Sequence, residues 1–148
     1  METSELLAPE RVACGVAATS KKRAIEAIAT ALAAGGNGID DTAVLDSLLG
    51  RERLGSTAVG HGVALPHGRV DGLTTSRGAF IRLAEPVDFD AADGEPVDLV
   101  FGLIVPVQCD QQHLAALAAV AARFDDPTLR AGLRATEDPE RALALLSG

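Results

Sequence analysis

A single α/β domain is the fold this sequence predicts, and three observations predict it. Segments with helical spacing of apolar residues interleave with short runs of β-formers. The chain has 148 residues, enough for one substantial core. No Pro/Ser-rich linker, internal repeat or low-complexity stretch divides it, so residues 1–148 are expected to form one domain.

The elements follow in order. Leu6-Leu7-Ala8-Pro9 is a lead-in, and Arg11–Ala17 alternates enough for a first strand. Ser20 is a suitable N-cap for a helix over Lys21–Ala34, with Ala24, Ile25, Ile28, Ala29 and Leu32 as its apolar face. Gly35-Gly36-Asn37-Gly38 tolerates positive φ and ends that helix. Asp40 or Asp41 caps a second helix over Ala43–Leu54, carrying Val44, Leu45, Leu48 and Leu49. Strands are expected at Thr57–Val59, Val63–Leu65, Gly78–Leu83 and Leu99–Val105, with a turn at Asp93-Gly94-Glu95-Pro96. A third helix spans Gln111–Phe124, and Pro127 and Asp138-Pro139 open two short final helices. This pattern leaves the sheet order open.

Composition removes several function classes. A net charge of −8 argues against nucleic acid, whose binding depends on Lys and Arg neutralising phosphates. No apolar run approaches the length of a membrane span, and the acidic start Met1-Glu2-Thr3-Ser4-Glu5 is unlike a signal peptide, so a cytoplasmic protein without membrane insertion is expected. Trp and Tyr are absent, leaving no material for a stacking platform. Cys14 and Cys109 are far apart and in no metal-ligand spacing, which reads as free buried thiols.

The informative segment is Arg51–Gly68, RERLGSTAVGHGVALPHG. Val63-Ala64-Leu65 reads as a short buried strand, stopped by Pro66, which has no N–H to donate and biases Leu65 away from helix. His67 then falls in a turn beside Gly68, at the tip of a rigid post. A positioned histidine is what a nucleophile requires when transfer is catalysed by geometry. The plain alternative is a solvated surface histidine.

The spacing Glu52, six residues, Val59-Gly60, two residues, Val63-Ala64-Leu65-Pro66-His67-Gly68 resembles the phosphohistidine signature of the enzyme IIA proteins of the fructose–mannitol class, in the bacterial phosphoenolpyruvate-dependent phosphotransferase system. Ser20-Lys21-Lys22-Arg23-Ala24, Arg51-Glu52, Gly55-Ser56-Thr57, Phe89-Asp90-Ala91, Pro96-Val97-Asp98-Leu99, Val105-Pro106 and His113-Leu114 extend the likeness to about residues 5–146, the implied domain core, and lean to the nitrogen-regulatory branch. The resemblance implies a three-layer α/β/α sandwich around a mixed sheet. It implies a phosphotransferase component that accepts a phosphoryl group on His67 Nε2, with Nδ1–H held by an acceptor, and needs no cofactor. The implied donor is a nitrogen-type histidine phosphocarrier protein, and the implied targets are regulatory proteins such as potassium-transport regulators.

Supporting residues follow from what transfer needs. Arg51 can clamp phosphate oxygens bidentately; otherwise it is a solvated arginine at a helix end. Arg53 and Arg69 can add positive potential, or be scattered surface charge. The resemblance implies that His113, in the first turn of the third helix, donates a hydrogen bond to the phosphoryl group; a packed histidine at a helix start is the alternative. Ser56 and Thr57 can contact phosphate or merely cap turns. His61 stands where the family commonly carries asparagine, and can contact phosphate, tune partners or occupy a tolerant loop. Other readings are a sugar-specific IIA component donating to a IIB domain, a zinc site built from His61, His67 and His113 with Asp110 or Cys109, and an inert interaction domain.

Overall fold

The structure, a computed structural model, describes residues 3–35, 39–108 and 110–148, with the side chains of residues 110–114 outside that description. Along the chain lie α1 (Thr3–Leu6), a 3-10 turn (Pro9–Arg11), β1 (Val12–Val16), α2 (Lys21–Ala33), α3 (Asp41–Glu52), β2 (Ala58–Gly60), β3 (Val63–Ala64), β4 (His67–Arg69), β5 (Arg77–Val87), β6 (Val97–Val105), α4 (Asp110–Phe124), α5 (Pro127–Ala135) and α6 (Pro139–Ser147).

Short polar side chains write the helix starts. Ser20 Oγ accepts the Arg23 N–H at 3.1 Å, and Asp40, rather than Asp41, caps α3 by accepting the Thr42 N–H at 3.0 Å. Asp126 and Asp138 cap α5 and α6 in the same way, each followed by a proline at the first helical position. Each such cap contributes about 1 kcal/mol. The expected face of α2 is buried in full, whereas α3 buries Val44 and Leu48 and leaves Leu45 and Leu49 half-buried.

The sheet is mixed and six-stranded, in the order β1-β5-β6-β3-β2, with β4 also pairing with β6. β5 and β6 run antiparallel at its centre; β1 is parallel to β5, and β3 and β4 are parallel to β6. Alternate residues of β6 serve opposite faces. Val100 and Ile104 pack with Ile25, Ile28, Leu32, Val44 and Leu48 of α2 and α3. Leu99, Phe101, Leu103 and Val105 pack with Leu6, Val120, Phe124, Leu133 and Leu146 of the other helices. A three-layer α/β/α sandwich results, as expected.

Two local expectations need correction. Residues 67–69 form a strand and not a turn: β3 and β4 lie on one line along β6, and the register is unbroken across Leu65-Pro66, with Ala64 opposite Val100 and His67 opposite Leu103. Pro66 interrupts the ladder because it has no N–H, but its carbonyl still accepts the Leu103 N–H at 2.9 Å. Cys14 is free as expected, yet only half-buried; Cys109 lies outside the described residues. Among the described residues, no helix is long and apolar enough to cross a membrane.

Candidate functional site

His67 is placed by backbone on two sides. The Leu65 N–H donates to the Thr57 carbonyl at 3.0 Å, and pairing of β4 with β6 fixes the chain beyond the proline. The imidazole folds back so that Nδ1 lies 2.7 Å from the Leu65 carbonyl oxygen. A carbonyl can only accept, so Nδ1 carries the proton and, in the neutral ring, Nε2 holds the lone pair. The acceptor that sequence reasoning left unnamed is therefore Leu65. Burial pushes the His67 imidazolium below its ordinary range, against the pull of the Leu65 carbonyl; the Arg51 charge lowers it further and Glu52 raises it.

Gly68 admits the close approach of α3. A Cβ there would lie 3.2 Å from the Ser47 carbonyl carbon and would strike the Ser47 hydroxyl, which donates to the Arg69 carbonyl at 2.7 Å. This packing brings the C-terminal turn of α3 beside β4.

Arg51 sits in that last turn, and with His67 it lines a cleft of about 320 Å³. Its Nη1 donates to the Gly55 carbonyl at 2.9 Å, and among the described residues no partner takes its other donors. Val59 forms another wall, and α4 supplies Leu117, Ala118 and Ala121. His113 belongs to the first turn of α4, but its side chain lies outside the described residues. A basic, donor-rich wall facing a neutral imidazole in a partly apolar cleft is suited to receiving an anionic electrophile.

The remaining expected site residues are placed differently. Ser56 and Thr57 line the cleft, but both hydroxyls donate inward. Ser56 Oγ donates to the Phe89 carbonyl at 2.6 Å, and Thr57 Oγ1 to Glu52 Oε1 at 2.6 Å. His61 lies in the two-residue β2–β3 turn with φ of 58°, followed by Gly62 at 76°. Its N–H donates to Asp93 and its carbonyl accepts from Arg134 at 2.6 Å. It lines a different and larger concavity of about 580 Å³ with Asp93, Asp98, Arg130 and Arg134. There Arg134 is held by Asp98 and His61, and Arg130 by the Phe124 carbonyl, so volume alone does not make that concavity the reactive one. Among the described residues no group of three or more His, Cys, Asp or Glu side chains could hold a metal ion; Cys109 and the side chains of Asp110 and His113 lie outside them.

Sequence reasoning passed over Glu52 as a site residue. Its carboxylate is only 6% exposed, and it receives the Thr57 N–H at 2.9 Å, the Thr57 hydroxyl, and Lys21 Nζ at 3.0 Å. The available signal was Lys21, a cation at the first position of a helix, where the dipole disfavours it unless an anion lies close.

Similarity to known proteins extends over the whole fold. The family described as phosphoenolpyruvate-dependent sugar phosphotransferase system, EIIA 2, matches residues 5–148. A nitrogen regulatory protein of Bradyrhizobium diazoefficiens is 42% identical over 147 residues, covering 99% of this chain and 95% of that protein. The crystal structure of nitrogen regulatory protein IIA-Ntr from Neisseria meningitidis superposes with a TM-score of 0.89 at 38% identity, covering 97% of each chain. A fructose-specific EIIA component of Haloferax volcanii is more distant, 34% identical with 86% of this chain and 83% of that protein covered. With its mixed sheet, its Val-Ala-Leu-Pro-His-Gly segment and full-length relatives of this kind, the chain belongs to the EIIA 2 family of the phosphoenolpyruvate-dependent phosphotransferase system.

Proposed function

We propose that this protein is a phosphocarrier of the nitrogen-regulatory type, taking a phosphoryl group on Nε2 of His67 from a histidine phosphocarrier protein. The observation that carries the proposal is the Nδ1 contact to the Leu65 carbonyl, which leaves the nucleophilic lone pair on Nε2. In the transfer, the N–P bond of the donor phosphohistidine breaks as the His67 Nε2–P bond forms, and the donor ring leaves with the electron pair. While His67 keeps Nδ1–H, its ring gains positive charge on bonding phosphorus, and the Leu65 carbonyl dipole stabilises that charge. Arg51 lines the same cleft, with donors left for the equatorial oxygens on which negative charge spreads. His113 is assigned, on family resemblance, as a second donor. No cofactor enters this scheme.

Exposed apolar side chains suit a protein donor rather than a small molecule. Val59 is 52% exposed on the cleft wall, and Leu54, three residues beyond Arg51, is 84% exposed. The Bradyrhizobium nitrogen regulatory protein, 42% identical, is more similar to this chain than the fructose-specific component at 34%, which favours a regulatory output over delivery to a IIB domain. Its targets are then proteins, potassium-transport regulators among them, that read the charge state of the cleft from the cytoplasm.

The test is intact-protein mass after incubation with phosphoenolpyruvate, enzyme I and the histidine phosphocarrier. Wild type is expected to gain one acid-labile phosphoryl group and His67→Ala none. Arg51→Ala is expected to slow the gain by roughly 10²-fold, the usual cost of one preorganised donor. A phosphoryl group on His67→Ala would overturn the acceptor, and a wild-type rate in Arg51→Ala would remove it from the machinery.

A further inference from the structure

We propose that Lys21, Glu52 and Thr57 act as positioning residues that fix the tautomer of His67 through hydrogen bonds linked by the Thr57 and Leu65 backbone, an inference that rests on His67 being the reactive group. The line can be followed atom by atom. Lys21 Nζ lies 3.0 Å from Glu52 Oε2, the Glu52 carboxylate accepts both the N–H and the hydroxyl of Thr57, the Thr57 carbonyl accepts the Leu65 N–H at 3.0 Å, and the Leu65 carbonyl accepts His67 Nδ1–H.

Proline makes this line matter. The Leu65 carbonyl belongs to the Leu65–Pro66 peptide, which has no N–H and so cannot be anchored from its nitrogen side. Its orientation depends on its two flanks. One is the Pro66 carbonyl, held by the Leu103 N–H of β6; the other is the Leu65 N–H, held by Thr57. Thr57 is in turn held by a buried carboxylate that accepts its hydroxyl and its N–H, the N–H lying on the peptide before the one whose carbonyl takes the Leu65 N–H. Charge-assisted bonds of this kind are the strong ones, and they act here by fixing backbone position, because the saturated Cα atoms of Thr57 and Leu65 separate one bond from the next.

The surroundings fit a fixed carboxylate. Lys21 occupies the first turn of α2 against the helix dipole. Glu52, Asp90 at 3.3 Å and the Phe89 ring, 5.2 Å from Nζ to its centroid, hold it there. Ser56 ties the same segment by donating to the Phe89 carbonyl, and Asp90 adopts a left-handed φ of 57°. Glutamine at position 52 would offer one acceptor oxygen to three donors and turn an N–H₂ toward one of them.

The experiment reads the ring directly, without any phosphoryl donor. Long-range ¹H–¹⁵N spectra of His67 are recorded at about pH 8, where an unperturbed imidazole is neutral. Wild type is expected to show Nδ1 protonated and Nε2 unprotonated. Glu52→Gln is expected to raise the Nε2–H share, and to slow phosphoryl transfer, by roughly three- to tenfold, the equivalent of one hydrogen bond. Thr57→Val should shift the ratio in the same direction, and Thr57→Ser, which keeps the hydroxyl, should restore it. Leu146→Ala, a core truncation in α6 outside this line of hydrogen bonds, controls for lost stability and should leave the ratio alone. A wild-type ratio in Glu52→Gln, an equal shift in Leu146→Ala, or a wild-type ring without dominant Nδ1–H would each overturn the relay. Should Glu52→Gln fail to fold, Thr57→Val decides in its place. Because the spectra need no transfer, failure of the relay and failure of the phosphocarrier reading are separate results.

Discussion

His67 is held neutral by its surroundings, chiefly by burial, and this has a consequence for folding as well as for reactivity. A histidine in the unfolded chain titrates near about 6.5, and the folded group titrates lower. Between the two values the unfolded chain binds more protons, so stability rises with pH across that window and is level above it. As pH falls from about 6.5 through the folded value, this contribution is lost. Urea unfolding of wild type and His67→Ala at a series of pH values measures it. The stability difference between them should climb with pH below about 6.5 and then flatten; a difference that falls with rising pH would mean that His67 is stabilised as the cation. His61 is governed by a different requirement. Two consecutive positive φ values in a two-residue hairpin loop are the conformation Asn-Gly supplies most readily, and histidine is among the other residues that tolerate it. Histidine at this position therefore meets the backbone demand of the turn.

Elements show where local sequence suffices and where it does not. Ser20, Asp126-Pro127 and Asp138-Pro139 mark helix starts through bonds made within three residues, so they were readable in advance. The strand His67–Arg69 was not, because a proline, a glycine and two polar residues carry no strand pattern; its conformation comes from β6, more than thirty positions away. Gly68 is the joint in that arrangement. Its φ is not in the left-handed region, so the requirement is for space against Ser47 and not for backbone freedom. Gly68→Ala should force α3 away from β4 at a cost of about 1–3 kcal/mol, the range for overpacking. It should also displace the Arg51 end of the cleft and slow phosphorylation. Equilibrium unfolding and the transfer assay check both, and a stability within about 0.5 kcal/mol of wild type would show that α3 yields easily.

Across the whole molecule, the α/β class was legible from alternating periodicities, but the sheet order was not. Strand neighbours depend on which apolar faces meet across the core, and β5 and β6 bury both faces almost throughout, leaving no outward face to reveal their order. The site was legible to the extent that it is written in one segment. Arg51 and His67 share a cleft, whereas Lys21 enters from α2 and meets Glu52 only in the folded chain. The same architecture bears on how phosphorylation would be read. The chain carries a net charge of −8, and a phosphoryl group brings about −1.5 to −2 near neutral pH, offset in part by the ring's positive charge while Nδ1–H is kept. At physiological ionic strength an exposed charge is screened within about 8 Å. The helices α5 and α6 do not line the cleft, although their apolar cluster also includes Leu65, Leu117 and Ala121 of its wall. The signal should therefore be local, a change in potential at the cleft mouth where Val59 and Leu54 are exposed. Backbone ¹H–¹⁵N spectra of the phosphorylated and unmodified protein are expected to differ around residues 51–67 and 117–121, with α5 and α6 unmoved. Shifts spreading through α5 and α6 would instead require a second packing of the helical layer, and partners would then be recognising a conformation rather than a charge.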